Sequence, residues 1–451
     1  MSKRNKSGRA RARFALVMAA FALAAGLVPA GAPRSSAQVA APQRPPAAAV
    51  VNPRSASVAA ATTEVLKETG EIRQLGVLRA VKSGAQSRAE IERMLVRNLD
   101  AQTKPAELYA SELALKKLGL VPADFRMRSF LIELLTEQVA GYYDPKTQEF
   151  YLADWIDLDG QQPVIAHELT HALQDQHFNL RRFEDWPKGD SDAELAAHAL
   201  VEGDATLVMT FYVMRDMKRV AAMMKSMGAS ASASEKIERA PRVLRDSLLF
   251  PYKQGMEWAS HVYRRGGWPL VTAAYKDLPQ STEQILHADK YFAREAPVKI
   301  DLPEIAGLLG KGWARLDYDV NGEWSYFQIL DEYLRAEKES QQAAGGWGGD
   351  RFALYEHRAT RQVLLAQLTT WDTEQDASEF FNAYVKRTER RYKEAVADTR
   401  RSVPTATRRV WRTTGEGTVA MERQGARVAI LEGVPQKADV SELLKKVLGV
   451  N

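Results

Sequence analysis

The 451-residue chain contains no cysteine. That excludes a disulfide scaffold, a thiolate metal site, a cysteine nucleophile and a lipid-modified N-terminal cysteine. Long apolar runs are also scarce: beyond the first 30 residues nothing approaches the eighteen consecutive apolar positions of a spanning helix. Acidic residues are missing from positions 1–37, which hold seven of the 62 Lys and Arg residues (Lys3, Arg4, Lys6, Arg9, Arg11, Arg13 and Arg34). The remaining 55 basic residues face 57 acidic ones, a net charge of −2, so the alkaline balance belongs to the front of the chain. The body therefore offers no electrostatic argument for nucleic-acid binding.

What is present is ordinary globular composition, 45% hydrophobic and 26% charged, with chain enough for two or three domains. Residues 1–37 have the parts of an export signal: a basic start, an apolar run from Phe14 to Val28, and small residues after it. Ser35-Ser36-Ala37 is the preferred processing site, which implies a secreted or periplasmic protein. Membrane attachment is expected only if this signal segment stays uncleaved. From 38 to 60 an Ala/Pro-rich stretch reads as a linker.

Helical patterning starts near Thr62 and runs, with breaks, to Gln138. Tyr142 to Leu152 reads as an aromatic-rich hairpin around an Asp-Pro-Lys-Thr turn. Pro163 suits the first turn of a helix reaching His177. Ser191 or Asp192 is expected to cap a second long helix through about Met227. Helices dominate to Leu309. Past Gly310 the texture changes, with a Gly-rich stretch at 344–349, a helix near Asp376–Ala395, and a late hairpin joining Thr418–Met421 to Arg427–Leu431 through Gly425. Trp347, Asp350, Arg351, Trp371 and Asp372 stand out in this part; their ordinary reading is turn and core structure.

The chemically informative segment is Val164-Ile165-Ala166-His167-Glu168-Leu169-Thr170-His171-Ala172-Leu173-Gln174-Asp175. Histidines four apart on a helix lie about 40° apart around its axis, so His167 and His171 can offer two imidazoles to one zinc ion. Glu168 then stands where it can hold and deprotonate a water on the metal. A third ligand is required, and there are two candidates. His177 has the ten-residue spacing of a three-histidine, metzincin-like site, but the glycine which lets that chain turn back is replaced by Gln174. If the helix continues, His177 lies about 240° around the axis from His171 and points elsewhere. Glu202 is an acid set among Ala196, Ala197, Leu200, Val201, Leu207 and Val208 on the next helix, with Gly203 permitting close helix approach. Glu202 is the favoured ligand.

The segment from Val164 to Ala172 resembles the active-site helix of thermolysin-like zinc peptidases, the gluzincins. Asp175 matches an acidic position that follows the motif. Gly141–Pro145 and Ser281–His287 resemble segments of uncharacterised bacterial and archaeal proteins of this type. The resemblance implies an α+β, mostly helical fold. A zincin-like catalytic domain with a small sheet and an active-site helix would occupy 61–310, followed by a C-terminal α/β region at 311–451. It implies one zinc held by His167, His171 and Glu202, with Glu168 as general base. It leaves thirty residues between His171 and the third ligand, a longer separation than in thermolysin, and the acid expected four residues beyond that ligand is here Thr206.

In that family a downstream histidine and tyrosine stabilise the oxyanion. His287 is the expected histidine, with Tyr291 or Tyr263 as companion. Glu194 and His198 share an arc of about 80° with Glu202, and either line the cleft or form a solvated series. Asp175 could orient an imidazole. The hairpin before the zinc helix could offer an edge to an extended peptide. Gly255-Met256-Glu257-Trp258 lacks the asparagine of the aminopeptidase motif, so nothing specifies an exopeptidase. The expected activity is endopeptidase cleavage of peptides or unfolded protein, the rival being a zinc-bearing envelope protein that binds or chaperones partners without hydrolysis.

Overall fold

A computed structural model of the chain describes residues 53–155, 158–183, 186–229, 239–398 and 407–450. The export signal, its processing site and the first part of the linker lie outside these residues. No helix among the described residues is long and apolar enough to cross a membrane.

The stretch read as linker to 60 gives way at Pro53 to helix α1, Pro53–Arg73. Alanine is the best helix former, so an Ala-rich segment becomes helix once one face finds apolar partners; Val58, Val65, Leu66 and Ile72 are buried. Strand β1, Lys82–Gln86, follows. Its sequence Lys-Ser-Gly-Ala-Gln shows no alternation, and it exists because it adds in parallel to a later strand. Helices α2 (Arg88–Gln102, with a Ser87/Glu90 capping box), α3 (Pro105–Leu118) and α4 (Met127–Gln138) come next. The hairpin is β2 (Gly141–Asp144) with β3 (Glu149–Ala153). Asp144 closes its turn by accepting from the Lys146 amide at 2.8 Å. The order β1-β3-β2 leaves β2 on one edge of this small sheet.

Helix α5 spans Gln162–Phe178, with Pro163 in its first turn, and ends at left-handed Asn179. Helix α6, Ser191–Met214, is capped by Asp190, whose side chain accepts from the Ala193 amide, and not by Ser191 or Asp192. It stops at Arg215, and a separate α7 covers Met217–Ala229, where one continuous helix was expected. Helix α8, Arg242–Ala274, breaks at Gly266 and Gly267, the latter at φ 62. Short helices α9 (Thr282–Leu286) and α10 (Ala288–Ala293) follow.

The C-terminal part consists of β4 (Trp313–Asp319), α11 (Gly322–Leu334), α12 (Glu337–Ala344), β5 (Trp347–His357), β6 (Val363–Trp371), α13 (Glu374–Arg391), β7 (Val396–Ala397), β8 (Arg408–Thr413), β9 (Gly417–Gln424), β10 (Arg427–Val434) and α14 (Val440–Leu448). Its seven strands form one antiparallel sheet in the order β4-β5-β6-β10-β9-β8-β7. An α/β region was expected here. The strands instead meet through turns such as β5–β6 and β9–β10, which is antiparallel chemistry, and the fold is α+β.

Three cores organise the molecule. Helices α2–α4 share one core with a face of the large sheet, joining Leu95, Leu131 and Leu134 to Leu330, Trp347 and Ile430. The texture change near 310 therefore marks no break in packing. Leu443, Leu444 and Val447 of α14 cover the opposite face. The third core surrounds α5 with α1, α6 and α8, through Leu66, Ile165, Leu169, Leu200, Trp258 and Val262. Within it α6 and α8 cross at backbone contact. A Cβ on Gly203 would lie 2.1 Å from the Gly255 carbonyl oxygen, and one on Gly255 would lie 2.2 Å from that of Ala199. Gly203 thus serves the approach of α8, where the sequence suggested α5.

Candidate metal centre

Helix α5 turns His167 and His171 to one side, and α6 brings Glu202 against them. His167 Nε2 is 3.0 Å from Glu202 Oε2 and 3.1 Å from His171 Nε2. His171 Nε2 is 3.3 Å from Glu202 Oε2. Zinc–ligand bonds of about 2.0–2.2 Å at tetrahedral angles place neighbouring ligand atoms about 3.3 Å apart. The triangle has that size, and its three residues form a group able to hold a metal ion. The surroundings are dry: His167 is 2% exposed and Glu202 4%, while the His171 side chain, at 12%, is the open side.

Electrostatics show how strongly this corner calls for a cation. Burial alone would raise the Glu202 carboxyl, yet His171 and His167 hold it down to about 2. Burial would pull His171 down, but the Glu202 carboxylate overrides it and pushes the ring up to about 9. A proton can satisfy Glu202, and so can a divalent ion. Glu168, on the same helix and 4% exposed, is pushed up to about 8 by burial. Its Oε2 accepts from the Tyr143 amide of β2 at 2.9 Å, so the hairpin holds one oxygen of this carboxylate.

Two residues without any signal of their own in the sequence complete the surroundings. Tyr252 of α8 stacks on His167, ring centroids 5.9 Å apart. Burial and the neighbouring Glu202 and Glu168 carboxylates keep its phenol protonated far above neutral pH. Gln174, noted in the sequence only as a missing glycine, sits 2.8 Å from His171 Nδ1 through its Oε1.

Other expected residues lie elsewhere. The half-buried ring of His177 donates to the Gly76 carbonyl at 2.7 Å, consistent with its helical phase. His287 pairs with Glu323 at 2.8 Å, with its side chain 47% exposed, and is not part of the triangle. The helix α8 supplies the nearby tyrosine in place of Tyr291, whose hydroxyl bonds to the Asp277 carbonyl, and of Tyr263, which packs on Phe211 and Trp268. Asp175 orients no imidazole; its carboxylate accepts from Tyr143 OH, Arg79 and the Leu180 amide, tying the helix end to the hairpin. Glu194 and His198 are buried, so they form no solvated series. His198 bonds to the Glu194 carbonyl, and burial lowers its basicity. Trp347 and Asp350 are core: Asp350 accepts from the Trp347 indole and the Asn321 and Gly322 amides.

A second acidic group, Glu283, Glu295 and Asp372, also converges. Lys290 Nζ stands among its carboxylates at 2.7, 2.5 and 2.6 Å, and already supplies the positive charge.

One protein-family model, a domain of unknown function (DUF8575), matches residues 311–444. That span covers the large sheet from β4 to β10 and leaves the metal triangle outside it. No curated protein and no solved structure matches the chain.

Proposed function

We propose that the chain is an exported zinc peptidase of the gluzincin type, with residues 53–310 as a zincin-like catalytic unit. One observation carries the reading: His167, His171 and Glu202 converge within 3.3 Å beside a buried, basic Glu168. These three residues would hold the zinc ion, which supplies Lewis acidity when bound.

The chain's own groups then have distinct tasks. Glu168, with one oxygen held by the Tyr143 amide, takes a proton from the attacking water and passes it to the leaving amine; an affinity for protons near the working pH suits both steps. The protonated Tyr252 phenol donates to the oxyanion that develops at the scissile carbonyl. Strand β2 can hold the substrate. The Ala153 amide bonds to the Ala140 carbonyl, so pairing alternation turns the backbone groups of Gly141 and Tyr143 away from β3. An extended peptide would add along this outer side of β2, beside the Tyr143 amide that Glu168 uses. Peptides or unfolded protein are the substrate class.

Glu168→Gln is the test. The variant should retain one zinc per chain and lose about 10²- to 10⁴-fold in cleavage of a quenched-fluorescent peptide library. Undiminished cleavage would refute the role of the base. A zinc-loaded wild type that cleaves nothing would favour the non-hydrolytic binding protein instead.

A further inference from the structure

We propose that α1 is part of the metal centre, and that Arg73 is a positioning residue which acts on His171 through Asp204 and Gln174. The proposal rests on the metal-binding reading above.

The chain of contacts has one sense. Gln174 Nε2 lies 3.0 Å from the Val201 carbonyl and 3.0 Å from Asp204 Oδ2. Both partners only accept, so the amide nitrogen must face them and Oε1 must face His171. An amide oxygen also only accepts, so Nδ1 of the imidazole carries a proton, and Nε2, the nitrogen that would serve a metal, is the one turned toward His167 and Glu202. Asp204 is held in turn. Its Oδ1 accepts from Arg73 Nε at 2.6 Å, and its Oδ2 from Tyr275 OH at 2.9 Å. Arg73 is fixed by Thr272 Oγ1 at 3.0 Å and by the Trp268 ring, 4.7 Å from the guanidinium to the ring centroid. Arg73, Asp204 and Gln174 are all wholly buried. An ion pair placed there only for stability would not need an amide to carry its polarity to a ligand ring.

Two consequences follow. The orientation of a ligand on α5 depends on the last residue of α1, about a hundred positions upstream. Residues 53–73 therefore cannot be shed as a pro-segment without loosening the centre.

Asp204→Asn tests the relay without changing shape. Arg73 would keep the asparagine oxygen, leaving its NH₂ against Gln174. The Gln174 amide must then rotate and present a donor to His171, which drives the ring proton onto Nε2. Zinc affinity of the full chain, measured against a chelating dye, should fall about 10- to 100-fold. Adding Gln174→Leu to Asp204→Asn should lower it little further than Gln174→Leu alone, because both changes act through the same amide. Nitrogen-15 spectra of the zinc-loaded wild type, with His171 assigned by its loss in His171→Gln, should show the proton on Nδ1. Unchanged affinity in Asp204→Asn, fully additive losses in the double variant, or a proton on Nε2 would each overturn the relay. A wild type that binds no zinc would overturn the metal centre itself, an outcome separate from these.

Discussion

Gly203→Ala probes the contact that positions Glu202. The new methyl carbon would lie 2.1 Å from the carbonyl oxygen and 2.2 Å from the carbonyl carbon of Gly255, where ordinary contact begins at 3.4 Å. Both atoms are backbone, so no rotamer change relieves the collision and α6 must move from α8 by about an ångström. Overpacking of this kind costs roughly 1–3 kcal/mol, and the upper end applies because whole helices must shift. Alanine returns about 1 kcal/mol through helix propensity. The expected net loss is about 2 kcal/mol, or a fall of roughly 2–3 °C in Tm. The effect on the metal should be larger than the effect on the fold. Glu202 is the neighbouring residue, and the triangle edges of 3.0–3.3 Å tolerate only about 0.2 Å of ligand displacement. Zinc affinity should drop at least about tenfold. Differential scanning calorimetry and chelator competition measure the two, with Gly307→Ala as control, since a methyl there meets nothing within 4 Å. Wild-type Tm and wild-type affinity in Gly203→Ala would show that this crossing does not set the site.

Three further outcomes are expected. Tyr252→Phe should keep zinc and lose roughly 10²-fold in turnover, seen as a fall in kcat with the metal content unchanged. His287→Ala should leave zinc content alone and change peptide cleavage by no more than about twofold, because His287 stands outside the triangle; a loss like that of Tyr252→Phe would return His287 to the site. In the large sheet, burial would raise Glu432, but Arg387 and Arg391 hold it down to about 2. A carboxylate lowered by folding stabilises above its unfolded pKa near 4.5 and loses that contribution as pH falls toward 2. It amounts to about 3 kcal/mol. Urea unfolding followed by tryptophan fluorescence should show it disappearing between pH 4.5 and 2, and Arg387→Met should reduce that pH dependence, with Arg391 still facing Glu432.

The local features were legible because they are properties of short stretches. His167, Glu168 and His171 share a helix, and helix geometry alone places them. The hairpin announced itself through its turn residues, and Gln174 already argued that the chain would not fold back to deliver His177. Glu202 was legible as an acid with no place in an apolar helix. The linker misled because Ala-rich sequence is as good in a helix as in a coil; only the core it meets decides.

What the sequence determined by itself was a helix bearing two imidazoles and a base, and the kind of third ligand it needs. The tertiary structure decided everything that arrives from a distance. Tyr252 stands beside His167 because α8 crosses α6 at Gly203 and Gly255, and His287 pairs with the buried Glu323 outside the triangle. Strand β1 exists through its pairing with β3, and the ring of His171 is oriented by Arg73 through two intermediaries. Periodicity records which face of an element is buried; it carries no information about which other element covers that face, and the groups gathered at this centre come from several.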